Sequence, residues 1–335
     1  NVKNFKLNFL TEKYDYLVIE YEDEEKNLFF DEVELEKKIY RPSFLFKNKK
    51  YKNLDKLLLD KNEYVLSKGI YKFNEPLIIP KGYNLKIEEG TTIQFAKNSF
   101  IQIEDGKINF LGSEKEPIVF KPINSKNQWK GLYLNSKNIF DQKSKILNTE
   151  FYNLDYFDND LIQLTGGINI INSQIELKNI KIFGSVSEDS LNIVNSDFNI
   201  ENIKIYDASS DAIDFDFSNG KLINGLFDNI NGDGVDFSGS DVRLFDLNFD
   251  NIGDKAISAG EESNISIEKV LIKNSKIGIA SKDSSNVIGS NIDIKDCVWY
   301  DFAVYQKKSY FEGAKLNIKN SSGCNMSIVQ KGSNF

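Results

Sequence analysis

Between Tyr133 and Tyr305, apolar and polar positions alternate in short runs that return about every 22 residues. The anchors are GLYLNS, LIQLTG, SLNIVNS, AIDFDFS, GVDFSGS, AISAGEES, GIASKDSS and AVYQKKS. In register they place Tyr133, Gln163, Asn192, Asp214, Asp236, Ser258, Ala280 and Tyr305 in one column, with steps of 30, 29, 22, 22, 22, 22 and 25. Ile213 and Phe215 flank Asp214, Val235 and Phe237 flank Asp236, and Ile257 and Ile279 repeat the first position. Side chains alternate faces along a strand, so the flanking residues point inward and the column outward. A second apolar strand follows in each repeat: IELKNIKIF, FNIENIKIY, VRLFDLNFD, ISIEKVLIK and IDIKDCVWY. The period is two throughout, with β-branched and aromatic residues inside, and helical patterning is nearly absent.

A fixed repeat of this length built from short strands predicts a solenoid. One rung of roughly 22 residues holds about three strands, each pairing with its equivalent roughly 4.8 Å away in the next rung. The expected fold is all-β: a right-handed single-stranded parallel β-helix with a small β-rich N-terminal cap or domain. Asn172-Ser173, Asn195-Ser196, Asn274-Ser275 and Asn320-Ser321 recur between strands. Asn tolerates the left-handed conformation and bonds local backbone, so stacked turns can form amide ladders.

The first 64 residues read differently. FKLNFL, DYLVIEY and LFFDEVELE predict strands, and NLDKLLLDK a short helix before the solenoid. The expected division is 1–64 as a β-rich segment or cap, covering an otherwise open solenoid end, and 65–335 as the β-helix. The chain opens NVKNFKLNFL without Met, which reads as a mature or truncated product of something longer.

Composition narrows the chemistry. There is no His, which removes His-based metal sites and the Ser-His-Asp triad. Cys297 and Cys324 make no disulfide framework and read as buried thiols or one bridge. No run approaches the roughly 20 apolar residues of a membrane span. The net charge of −8 is uneven: Gly184 to Glu262 carries 17 acidic against 4 basic residues, a local −13 that leaves +5 elsewhere. Such a belt argues against nucleic-acid phosphates and suits cations, neutral sugars or solvation alone.

The column's neighbours define a candidate site. Asp160, Asp189, Asp211, Asp233 and Lys255 form one adjoining row; Thr165, Val194, Asp216, Ser238, Gly260 and Lys282 form another. A small-residue row of Ser190, Ala212, Gly234, Ala256, Gly278 and Ala303 lets a ligand approach the backbone. Carboxylates one rung apart lie roughly 5 Å from each other, so at least one pKa should rise unless a cation intervenes. Asp211, Asp214, Asp233 and Asp236 are therefore candidate catalytic carboxyls, in the acid-and-partner arrangement of glycosidases. Together with Asp216 they also form a hard oxygen set suited to Ca²⁺. Tyr133, Gln163, Asn192, Asp216, Lys255, Ser258 and Tyr305 are candidate substrate contacts, the tyrosines by stacking on sugars. A base role for Lys255 is disfavoured, since acidic neighbours raise its pKa.

The Ile-Pro-Lys-Gly and Glu-Gly-Thr-Thr-Ile pieces resemble the opening rungs of pectin-lyase-like β-helices, a resemblance covering residues 64–330. It implies the fold rather than an activity, since that fold hosts lyases, hydrolases, epimerases, adhesins and tailspikes. GDKAISAGEES, KIGIASKDSS and VYQKKSYFEGA resemble a surface-protein subgroup without established chemistry. NGDGVDF (Asn231 to Phe237) resembles the Asn-x-Asp-Gly-apolar-Asp strand of polygalacturonase-like hydrolases, and SSDAIDFDF (Ser209 to Phe217) their paired-Asp strand. That resemblance implies catalytic Asp211, Asp233 and Asp236. The motif order is reversed, however, and the later Gly-His-Gly and Arg-x-Lys elements are missing. Pectate-lyase-like enzymes use an Arg base above Ca²⁺, whereas the only arginines here are Arg41 and Arg243. The Asp-Pro-His-Glu motif of alginate-epimerase-like enzymes is also absent. The expected function is an extracellular or cell-surface module that binds polysaccharide, or serves as a scaffold within a larger surface assembly, through the acidic face. The alternative is a polysaccharide-degrading enzyme using the Asp cluster.

Overall fold

The computed structural model describes the backbone of strands Asn4–Asn8, Tyr16–Glu22 and Leu28–Glu34, and residues 53–139, 141–159, 162–323 and 326–335. Asp160 and Cys324 lie outside the described residues. The chain divides into two compact units, Asn1–Lys50 and Tyr51–Phe335. In the first, the three strands pair antiparallel in sequence order. The second is a right-handed parallel β-helix of about 11 turns. Its first parallel pair is Glu63–Leu66 against Asn84–Glu88. The NLDKLLLDK segment is not a helix of useful length: a single 3₁₀ turn, Leu54–Lys56, leads into the strand Leu58–Asp60. Leu58 and Asp60 pair antiparallel with Val65 and Glu63, and that pairing ends any helical turn.

Each regular rung has a short strand, a corner, and a 12-residue strand bent at its middle, as in Asp189–Val194 followed by Asp197–Ala208. The bend is an asparagine in the left-handed region. Asn148, Asn179, Asn202 and Asn224 have φ of 46°, 55°, 64° and 58°, and they occupy one position in successive rungs. A short amide side chain tolerates this conformation and bonds along the stack. Asn179 Nδ2 donates to Asn148 Oδ1 at 2.7 Å, Asn202 to Asn179 at 2.6 Å and Asn224 to Asn202 at 3.1 Å. Further along, an Asp246–Lys269 ion pair at 2.8 Å takes over the column.

The corner after the short strand is held by a buried serine ladder. The amides of Ser173, Ser196, Ser218, Ser240 and Ser263 donate to the hydroxyls of Ser196, Ser218, Ser240, Ser263 and Ser285 at 3.0–3.2 Å. Inside, aromatic rings stack between rungs, with centroids 4.5 Å apart for Phe198–Phe215 and 5.1 Å for Phe215–Phe237. Ile213, Phe215, Val235, Phe237, Ile257 and Ile279 are all fully buried, as the alternation requires.

The expected register differs at one place here: Val287, not Ile292, stands opposite Ile265, while Ile292 pairs with Val270 on the next face. The rung between Tyr133 and Asn169 is longer than the others yet mostly regular, since Lys143–Leu154 is an ordinary bent strand. Its excursion follows Leu154, where an antiparallel bridge joins Asp158 and Gln163.

Candidate functional site

The short strands bring one row of outward residues together: Tyr133, Asn169, Asn192, Asp214, Asp236, Ser258, Ala280 and Ala303 are successive pairing partners. The central members match the sequence register, but two do not. Gln163 is exposed on the excursion, and Asn169 takes its place. LIQLTG and GGINII alternate equally well, so alternation alone cannot choose between them. The corner serine can: it follows the column by four residues at Asn192–Ser196, Asp214–Ser218 and Asp236–Ser240, and only Asn169 stands in that relation to Ser173. Tyr305 is displaced by two positions and pairs with Lys282, while Ala303 stands in the column.

Tyr133 is in the column but is no sugar platform. It is 5% exposed, because the fully buried Phe157 of the excursion lies 5.1 Å from its ring and 4.9 Å from Phe100. Asn159 Nδ2 fixes the excursion by donating to Gln102 Oε1 at 3.0 Å. Ser258 is also covered, at 0% exposure, and its Oγ has no hydrogen-bond partner. The face therefore points away from the core as expected but is much less wet than alternation suggested.

At its centre, carboxyls repeat a backbone contact from rung to rung. The amide of Asp233 donates to Asp211 Oδ1 at 2.7 Å, and the amide of Lys255 to Asp233 Oδ1 at 2.9 Å. Gly232 makes room for this, since a Cβ there would lie 1.9 Å from Asp211 Oδ1. Asn192 Nδ2 donates to Asp189 Oδ2 at 3.2 Å and to Asp214 Oδ2 at 3.4 Å. Lys255 Nζ is 3.0 Å from Asp233 Oδ1 and 2.5 Å from Asp254 Oδ2, and Lys282 Nζ is 3.4 Å from Asp236 Oδ1. At the edge, Glu261 binds Lys308 and accepts from Ser238 Oγ at 2.6 Å.

Taking carboxyls out of water raises their pKa, and neighbouring negative charges raise it further. Burial, then the charges of Asp216, Asp189, Asp236 and Asp211, push Asp214 up to about 9. Burial and the charge of Asp233 push Asp211 up to about 7, against the pull of the Asp233 amide. Burial and the charges of Asp189, Asp236 and Glu261 bring Asp216 to about 6. Burial lifts Asp189 and Asp233 as well, opposed at Asp233 by the charge of Lys255. Burial pulls Lys255 and Lys282 down, but the facing aspartates outweigh it and both end above the ordinary lysine value. This disfavours either lysine as a proton acceptor. The arrangement offers protonated carboxyls as hydrogen-bond donors beside lysine-paired carboxylates.

Ligand oxygens of Asp211, Asp233 and Asp236 lie within 4.8 Å of one another, close enough to hold a metal ion. Asp214 and Asp216 are not part of that convergent trio. The donor set suits a hard cation such as Ca²⁺. Yet two of its three members already contact buried ammonium groups, which a bound ion would have to displace.

Several solved structures resemble the chain at low identity. An alginate lyase from Paenibacillus sp. str. FPU-7 is 10% identical, with 76% of this chain and 93% of that one covered and a TM-score of 0.39. The Streptococcus pneumoniae surface protein and adhesin PfbA is 12% identical over 82% and 90%, with a TM-score of 0.37. The A-module of the Azotobacter vinelandii mannuronan C-5 epimerase AlgE4 is 11% identical over 82% and 90%, with a TM-score of 0.34. No curated protein matches the sequence. The model of the pectate-lyase-like β-helix domain matches residues 58–285, and the chain belongs to that family.

Proposed function

We propose that the protein binds polysaccharide along the short-strand face, with the polymer running across successive rungs. The observation that supports this is the line of neutral hydrogen-bonding groups beside paired charges. Asp214, whose raised pKa keeps its carboxyl protonated at neutral pH, is half-buried in the column, and the Ser238 hydroxyl is half-buried beside it, whereas the Asn169 and Asn192 amides are buried and bonded within the protein. Hydroxyls and protonated carboxyls both donate and accept, which matches sugar hydroxyls. The rungs repeat at about 4.8 Å, a ladder suited to a linear repeating ligand. A glycan partner of this kind fits an extracellular or cell-surface setting. No described helix is long and apolar enough to cross a membrane.

A second reading, cleavage of the bound polymer, is favoured by one observation. Asp211, raised to about 7, holds a proton near neutrality within 4.8 Å of Asp233, which is paired to Lys255. Burial raises both carboxyls, but only Asp233 faces an ammonium, and a close carboxyl pair that keeps a proton near neutrality has the acid-and-partner arrangement of glycosidases. The separation is nearer the roughly 5 Å of direct attack than the about 6.5–9.5 Å that admits a water.

Incubation with acidic and neutral polysaccharides, reading both retention and new reducing or unsaturated ends, tests both readings. Retention that weakens in Asp214→Ala and persists in Asp214→Asn supports binding. New ends that disappear in Asp211→Asn while retention persists support cleavage. No retention of any polymer overturns both.

A further inference from the structure

The carboxylate trio invites a divalent cation, but its surroundings are already furnished with positive charge. Lys255 belongs to the rung after Asp233 and turns its Nζ to 3.0 Å from Asp233 Oδ1. Lys282 comes from further away. Asp236 pairs with Ser258, and Ser258 with Ala280, so Lys282 and Asp236 are two rungs apart. Its side chain crosses the intervening rung to place Nζ 3.4 Å from Asp236 Oδ1. It crosses at Gly260, where an added Cβ would stand 3.0 Å from Lys282 Cε. Lys282 is 4% exposed, so this is a built-in path rather than a surface lysine resting on a neighbour. Burying an ammonium costs several kcal/mol unless it is well paired, so both lysines are committed to these carboxylates.

We propose that Lys255 and Lys282 are the resident counter-cations of the cluster, supplying from the chain the positive charge that a divalent ion would otherwise bring to Asp233 and Asp236. The face then keeps its geometry and meets its ligand without metal. The two lysines act as positioning residues, and Gly260 is the gap that admits the second.

The test reads calcium directly, so its outcome is separate from that of the polysaccharide reading. Wild-type protein is stripped with chelator and titrated calorimetrically with CaCl₂ to about 10 mM, tenfold above the weakest extracellular calcium modules. No binding heat is expected, and the same Tm in calcium and in EDTA. The Lys255→Met/Lys282→Met variant should melt lower in EDTA and regain at least half of the loss in calcium, because the freed carboxylates then accept the ion. Saturable wild-type binding, or a folded double variant indifferent to calcium, overturns the proposal. If the double variant folds only with calcium, the proposal is supported. If it folds in neither condition, Lys282→Met alone decides by the same comparison.

Discussion

At the residue scale the decisive fact is that single positions carry two demands. Asp214 must follow the strand alternation, yet it lies among carboxyls that make its charge costly. Its pKa rises from 3.8 to about 9, so the folded chain binds more protons than the unfolded chain across that window. Stability then falls as pH rises through it, as it does for Asp211 and Asp216 over their narrower windows up to about 7 and about 6. Each group contributes a slope of at most about 1.4 kcal/mol per pH unit. Lys255 and Lys282 do not reverse the trend, because their raised pKa values put their loss at higher pH. Asp214→Asn should therefore raise Tm at pH 8 more than at pH 5 and flatten the decline between them. Thermal melts at both pH values check this; an equal shift at both would sink the electrostatic account.

At the element scale the corners are as important as the strands. Ser218 Oγ accepts the Ser196 amide at 3.1 Å and donates to the Asp216 carbonyl at 2.8 Å, in a site with no exposure. Ser218→Ala leaves that buried amide without an acceptor, which costs about 1–3 kcal/mol. Urea denaturation should show this as a lower midpoint at unchanged slope. Ser238→Ala, which removes a half-buried hydroxyl from the outward face, should cost less. The serine at a fixed distance after the column was visible in the sequence. It is also the signal that identifies Asn169 rather than Gln163, because a corner that must satisfy a buried amide tolerates no slip in register.

At the scale of the whole molecule, each rung contacts mainly its neighbours, so stability is close to a sum of like interfaces. Asp211 and Asp233 begin equivalent turns 22 residues apart, and the strands that follow pair in strict register. Removing residues 211–232 would join equivalent corners. The shortened chain should keep its β-type circular dichroism and a cooperative melt, with Tm lower by several degrees. It would lose Asp211, Asp214 and Asp216 together, so the falling limb of the pH–stability profile should become shallower, with Asp189 and Asp233 left to carry the rest. A shortened chain with an equally steep limb would show that its origin lies elsewhere.

The solenoid, the inward and outward faces of its central rungs, and the neighbourhood of Asp211, Asp214, Asp233 and Asp236 are all legible in the order of the amino acids. Strand alternation and a fixed period leave those few choices. Packing between rungs selects which of two equally alternating segments joins the column, closes Phe157 over Tyr133, and carries Lys282 past Gly260 to Asp236. Each of these depends on a side chain meeting a partner from another rung. Periodicity fixes where a residue lies along the repeat, while contacts between rungs fix what it touches.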